Sequence, residues 1–99
     1  MRVVALVTDL MDRSRVSAAI TGIEFARDFE AVGRADVVLV DLARFADAIG
    51  PLRASLPDAR IVAFGPHVDE DAATAAAAAG ADVVWPRSRF FRHPGAALA

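Results

Sequence analysis

The chain has 99 residues, a formal net charge of −2, 56% apolar residues and no cysteine. This length suits one domain with a modest core, which we expect over residues 1–99. The missing cysteines exclude disulfides and thiolate chemistry, the slightly acidic balance gives no general attraction to nucleic acid, and no stretch approaches the ~18 apolar residues of a membrane span. Because no signal sequence follows Arg2, we expect a cytoplasmic protein.

The first forty residues predict two buried strands with a shorter strand between them. Residues 3–7 and 37–40 are continuous aliphatic runs, which are typical of strands covered on both faces. A helix is expected after the first run, with Asp12 as its N-cap and Gly22 beyond its end. Residues 23–26 then alternate between apolar and polar, which predicts a short strand near an edge of the sheet.

The connection between the second and third strands is short. Residues 27–35 must form it, and such crossovers usually need roughly 10–12 residues or more. Either the second helix is a single turn, or residues 14–32 form one long helix and the sheet has four strands. Gly22 and the β-favouring Ile23 and Phe25 favour the arrangement with five strands.

The middle of the chain predicts a helix followed by a third buried strand. Residues 42–56 carry apolar side chains at spacings of three and four. The Gly50-Pro51 pair is the expected interruption of this helix, since proline has no N–H to donate to the preceding turn. Residues 61–64 predict the strand, which the Gly65-Pro66 pair ends.

The last third of the chain predicts a helix, a strand and a short final helix. Asp69 is the expected N-cap of a helix whose body, residues 72–79, is almost pure alanine, and Gly80 is its terminating residue. Residues 83–85 predict the last strand. Ser88 is expected to cap the final helix.

Strands that alternate with helices predict an α/β fold with a parallel sheet and right-handed crossovers. Five strands favour a flavodoxin-like three-layer sandwich of strand order 2-1-3-4-5, with shortened second and last helices. In such sheets the ligand crevice lies outside the carboxyl ends of the strands. We therefore expect the functional site among the polar residues that follow the strands.

The site predicted at these strand ends combines acidic, basic, hydroxyl and aromatic side chains. Its members are Thr8, Asp9, Asp12, Asp41, His67, Trp85, Arg87, Ser88 and Arg89. If the first and third strands are neighbours, Asp9 and Asp41 should lie within ~5–10 Å of each other. Two such carboxylates could hold a divalent ion, of which Mg²⁺ is the most suitable, although no cofactor is required. The alternative is structural, because an Asp after a strand often caps the next helix.

On these residues the chain resembles the receiver domain of bacterial response regulators. Asp9 matches one acidic position after the first strand, and Asp41 in the run VLVDL matches the phosphoacceptor. Trp85-Pro86 falls where receivers have Lys-Pro, in a chain that contains no lysine. Asp12 stands three residues beyond Asp9 as a substitute for the missing second acid, and Gly65 lies near the position where receivers have Thr or Ser.

The resemblance implies a signalling or interaction module rather than an enzyme, with lost or altered phosphorylation. Phosphoryl transfer needs positioned positive charge, which only Arg87, Arg89 or a metal ion could supply here. The module would contact a kinase or output protein, bind a small anion, or self-associate through the face formed by its C-terminal elements. The alternative is a working phospho-receiver, in which Asp41 is the Mg²⁺-dependent phosphoacceptor.

Two further interpretations have less support. A hydrolase would use Asp9, Asp41 and His67, but the sequence has no nucleophile elbow, Walker loop or dinucleotide-binding fingerprint. Residues 87–93 contain three arginines and two phenylalanines, a combination that suits single-stranded nucleic acid, yet this segment is short and the chain is acidic. Trp85 is expected to fill the pocket where the receivers have their lysine.

Overall fold

The computed structural model describes residues 1–66 and 70–98, in which strands and helices alternate. The strands are β1 (Val3–Leu6), β2 (Glu24–Phe25), β3 (Val37–Asp41), β4 (Arg60–Gly65) and β5 (Val83–Pro86). The helices are α1 (Leu10–Ala19), α2 (Leu42–Phe45), α3 (Ile49–Ser55), α4 (Glu70–Ala79) and α5 (Arg87–Arg92), with 3₁₀ turns at Glu30–Val32, Ala46–Ala48 and Pro94–Leu98. None of the helices described is long and apolar enough to cross a membrane.

Across the described residues, five strands form one parallel sheet in the order β2-β1-β3-β4-β5, which confirms the predicted flavodoxin-like topology. β1 pairs with β3 along its whole length, so the first and third strands are neighbours as predicted. β2 has two residues and lies at the edge of the sheet, so the four-strand alternative is wrong. The 3₁₀ turn Glu30–Val32 stands where the second helix was expected, and it is as short as the connection requires.

The apolar side chains of β1, β3 and β4 are buried on both faces of the sheet, in agreement with their continuous apolar runs. One face packs against α3 through Ile49 and Leu52. The other face packs against α1 and α5 through Val16 and Phe90. Burial of each such side chain contributes about 1.5–3 kcal/mol to folding. α1 and α5 are therefore held side by side over the same face.

Two helix starts differ from the prediction. Asp9, and not Asp12, caps α1, because its carboxylate accepts a hydrogen bond of 2.9 Å from the backbone N–H of Asp12. Asp12 thereby lies in the first helical turn, with its side chain free to act elsewhere. α5 begins directly after Pro86, so Ser88 lies inside its first turn and makes no cap.

The helix predicted over residues 42–56 is broken earlier than expected. Phe45, the last residue of α2, has non-helical backbone angles of φ −125° and ψ 23°. The helix therefore ends there, and a 3₁₀ turn leads on to α3. Pro51 lies in the first turn of α3, where a missing N–H costs nothing. The expected cap at Asp69 lies outside the described residues. α4 ends as predicted before Gly80, whose φ of +127° favours glycine.

Candidate functional site

An ion pair joins α1 to α5 at the carboxyl ends of the strands. The two terminal nitrogens of the Arg87 guanidinium donate hydrogen bonds of 2.7 and 2.6 Å to the two carboxylate oxygens of Asp12, which is 75 positions away in the sequence. The Asp12 side chain is buried, whereas about a third of the Arg87 side chain is exposed. This two-pronged geometry is the strongest form of arginine–carboxylate contact. It forms because both residues lie in the first turns of helices that cover the same face of the sheet.

The two acids on which the sequence analysis concentrated both act as helix caps. Asp41 is the buried last residue of β3, and its carboxylate accepts a hydrogen bond of 3.0 Å from the backbone N–H of Ala43 at the start of α2. Asp9 caps α1 in the same manner. The structural alternative left open by the sequence therefore describes what both carboxylates do in the structure.

Three carboxylates act on the Arg87 guanidinium. The hydrogen bonds to Asp12 raise the pKa of Arg87 above its usual value, and partial burial opposes this rise. The negative charges of Asp12, Asp41 and Asp9 raise the pKa further. All three acids thus lie within electrostatic reach of one permanent cation. Arg87 supplies positive charge at the edge of the sheet where β1 and β3 end.

The other predicted site residues lie around this ion pair in different environments. The Thr8 hydroxyl is buried and has no hydrogen-bond partner among the described residues. Trp85 is partly buried, and the Arg89 guanidinium lies 4.3 Å from its ring centroid. The side chain that reaches the acids is that of Arg87, two residues beyond Trp85. His67 lies outside the described residues, so the hydrolase grouping is not described as a whole.

The acidic residues are poorly arranged for a divalent ion. Across residues 1–66 and 70–98, no three Asp, Glu or His side chains are grouped so that they could hold a metal. Both oxygens of Asp12 are bonded to Arg87, and Asp9 and Asp41 each accept a backbone hydrogen bond. The predicted ligand pair of Asp9 and Asp41 remains a prediction.

A second group of side chains, formed by Arg15, Arg87 and Phe91, lies beside the ion pair and was not predicted from the sequence. The Arg15 and Arg87 guanidinium carbons lie 4.5 and 4.9 Å from the ring centroid of Phe91. Arg15 comes three residues after Asp12, a spacing that places both on one face of α1. This spacing could have indicated the group from the sequence, since a C-terminal side chain that pairs with Asp12 must also come close to Arg15.

Known structures are similar to this chain in fold, whereas comparison at the level of sequence finds no relative. No family model matches the chain, and no curated protein matches it. A Burkholderia pseudomallei response regulator, solved with a phosphorylated aspartic acid, calcium ion and citrate, superposes with a TM-score of 0.85 at 18% identity over 99% of this chain and 66% of its own.

Two further response regulators are similar in structure. An orphan response regulator of H. pylori gives a TM-score of 0.79 at 11% identity over 100% of this chain and 97% of its own. A Thermotoga maritima response regulator gives 0.73 at 21% identity over 87% and 83%. The chain therefore has the receiver-domain fold of the response regulators, as the resemblance in its sequence implied.

Proposed function

We propose that residues 1–99 form a single receiver-like signalling module, which acts by protein–protein contact and does not use Asp41 as a phosphoacceptor. It is not an enzyme, requires no cofactor and works in the cytoplasm. The observation that carries this proposal is the two-pronged ion pair between Arg87 and the buried Asp12. This pair places a protein cation where a phospho-receiver needs acids that are free to bind a metal.

The physical reason concerns charge. Phosphoryl transfer is catalysed by positioned cations that neutralise the equatorial oxygens of the transferred group. Here the Arg87 guanidinium is held by Asp12, so turning either group toward a phosphoryl group on Asp41 would break this partly buried pair. Gly65 at the end of β4 carries no hydroxyl that could turn toward a phosphoryl group on Asp41. The chain lacks the lysine that would supply an alternative cation.

Apolar surface near the site supports a role in protein contact. Leu10 and Met11, which follow Asp9 at the start of α1, are 79% and 75% exposed. β5 is the edge strand next to the C-terminal helix, and its Val83 and Trp85 are only partly buried. Exposed apolar side chains of this kind favour a partner. A kinase, an output protein or a second copy bound through the C-terminal face would each cover part of this surface.

The second candidate is a phospho-receiver in which Asp41 accepts phosphate in the presence of Mg²⁺. Its support is the position of Asp41, which is buried at the end of β3 and lies within electrostatic reach of Arg87. A phosphorylated aspartic acid and a calcium ion occur in the structurally similar B. pseudomallei protein. For this candidate, Asp9 and Asp41 would bind the ion with carboxylates that each already accept a helix-cap hydrogen bond on one oxygen.

Incubation with acetyl phosphate and millimolar Mg²⁺ separates the two candidates. We expect intact-mass spectrometry to show no phosphoryl adduct, and the wild type and Asp41→Ala to behave identically. A phosphorylatable receiver treated in the same buffer serves as the positive control. A labile adduct of one phosphoryl group that is absent from Asp41→Ala would overturn the proposed function and establish the second candidate.

A further inference from the structure

A cavity of about 370 Å³ lies between α1 and α5, next to the ion pair. Its lining consists of Arg15 from α1 and of Arg87, Ser88, Phe91 and Arg92 from α5. Only Arg87 and Ser88 belong to the site predicted at the strand ends. The cavity thus adds Arg15, Phe91 and Arg92 to that site.

The cavity has an excess of positive charge. Three guanidiniums line it, and the one carboxylate bonded to them is that of Asp12. Among the described residues, neither Arg15 nor Arg92 belongs to an ion pair. The described residues that line the cavity thus include three cations and no anion, on a chain whose net charge is −2, while the carboxylates of Asp12, Asp9 and Asp41 act on Arg87 from the strand ends. Closely placed like charges repel each other unless an anion joins them.

The donors of this cavity are held in place by an aromatic ring. Arg15 and Arg87 both lie over Phe91, whose negative face attracts cations. Arg87 uses two of its five N–H donors on Asp12, and the described residues show no acceptor for its remaining three. Ser88 adds an exposed hydroxyl. These groups form a set of donors that suits an acceptor with several oxygens.

We propose that this cavity binds a small phosphorylated anion, either inorganic phosphate or a phosphomonoester. A phosphate group offers at least three acceptor oxygens and a charge near −2, which suits a lining of three guanidiniums and a hydroxyl with no carboxylate among them. An open depression of this size between two helices suits such an anion better than an extended acidic peptide. The proposal goes beyond the proposed function, since the anion is held by Arg15, Arg92 and the free donors of Arg87 without any covalent bond to Asp41.

Calorimetric titration of the full chain with inorganic phosphate and with glycerol 3-phosphate, at constant ionic strength, tests this site. We expect saturable binding of at least one of them. The ligand with the higher affinity shows whether the site prefers free phosphate or a phosphomonoester. The double variant Arg15→Gln/Arg92→Gln should bind at least about tenfold more weakly, because charge-assisted hydrogen bonds to phosphate are lost. Arg34→Gln is the matched control, since Arg34 is an exposed arginine before β3, at the opposite end of the sheet.

A response that does not saturate would overturn the proposal. Equal affinity in the wild type and the double variant, or an equal loss in Arg34→Gln, would do the same. Asp41→Ala should bind the anion at least as tightly as the wild type, because it removes a negative charge that acts on Arg87. Loss of binding in Asp41→Ala alone would move the anion to the strand ends and would also overturn the inference. The proposed function fails separately, through a covalent adduct on Asp41.

Discussion

Replacing Arg87 with alanine is expected to lower the free energy of unfolding by about 2–3 kcal/mol. The substitution removes the guanidinium that donates to both oxygens of the buried Asp12 carboxylate. Breaking a fully buried ion pair costs roughly 3–5 kcal/mol. The expected loss is smaller because the Arg87 side chain is 32% exposed and water partly replaces the lost partner. Urea denaturation followed by circular dichroism measures the change.

Arg89→Ala is the matched control for this substitution. Arg89 belongs to the same helix, is exposed, and contacts the ring of Trp85, so its loss should cost less than about 1 kcal/mol. A double-mutant cycle of Arg87→Ala with Asp12→Ala isolates the interaction between the two side chains. We expect a coupling energy of at least about 1.5 kcal/mol. Additive single effects would contradict the central role given to this pair.

The substitution Phe90→Ala is expected to lower the free energy of unfolding by about 3–5 kcal/mol. Phe90 is fully buried, and its ring stacks on that of Phe64 with centroids 4.5 Å apart and an interplanar angle of 3°. It is the one buried residue of α5, a helix of six residues that cannot be stable by itself. A domain of this size has a total stability of about 5–15 kcal/mol, so the loss is a large part of it.

Phe90→Leu and Phe91→Ala are the comparisons for this prediction. Leucine retains much of the buried volume, so Phe90→Leu should cost roughly 1–2 kcal/mol. Phe91 is partly exposed and makes edge contacts with its neighbours, so Phe91→Ala should cost less than Phe90→Ala. Thermal or urea denaturation measures all three variants. A loss from Phe90→Ala that does not exceed the loss from Phe91→Ala would show that Phe90 does not anchor α5.

The topology was predictable because the signal lies in short stretches of sequence. A strand buried on both faces requires a continuous aliphatic run, and the runs at residues 3–7, 37–40 and 61–64 match β1, β3 and β4. The break at Phe45 was not predictable, since the apolar spacing continues across it. The N-cap of α1 was misplaced, although Asp9 followed by an acid three residues later is similar to a capping box.

The candidate site was predictable in its place but not in its pairing. The rule that polar residues gather at the carboxyl ends of parallel strands located Asp9, Asp12, Asp41 and Arg87 from the sequence. Sequence spacing does not state which basic side chain meets which acid over 75 positions. The sequence offered Arg87, Arg89 or a metal ion as the source of positive charge, and in the structure Arg87 is the side chain that reaches Asp12. Arg87 meets Asp12 because α5 lies beside α1, and Arg87 is the first residue of α5 while Asp12 lies in the first turn of α1.

The central claim is that Arg87 already occupies the acidic site. Its most direct test is a titration with Mg²⁺ and beryllofluoride that is monitored through the backbone amide signals in ¹⁵N NMR. Beryllofluoride reports on a phosphoacceptor without a covalent transfer step. We predict that the amides of Leu10 and Leu42, which follow Asp9 and Asp41, show no saturable shift at millimolar Mg²⁺. Saturable shifts at these amides that disappear in Asp41→Ala would contradict the account.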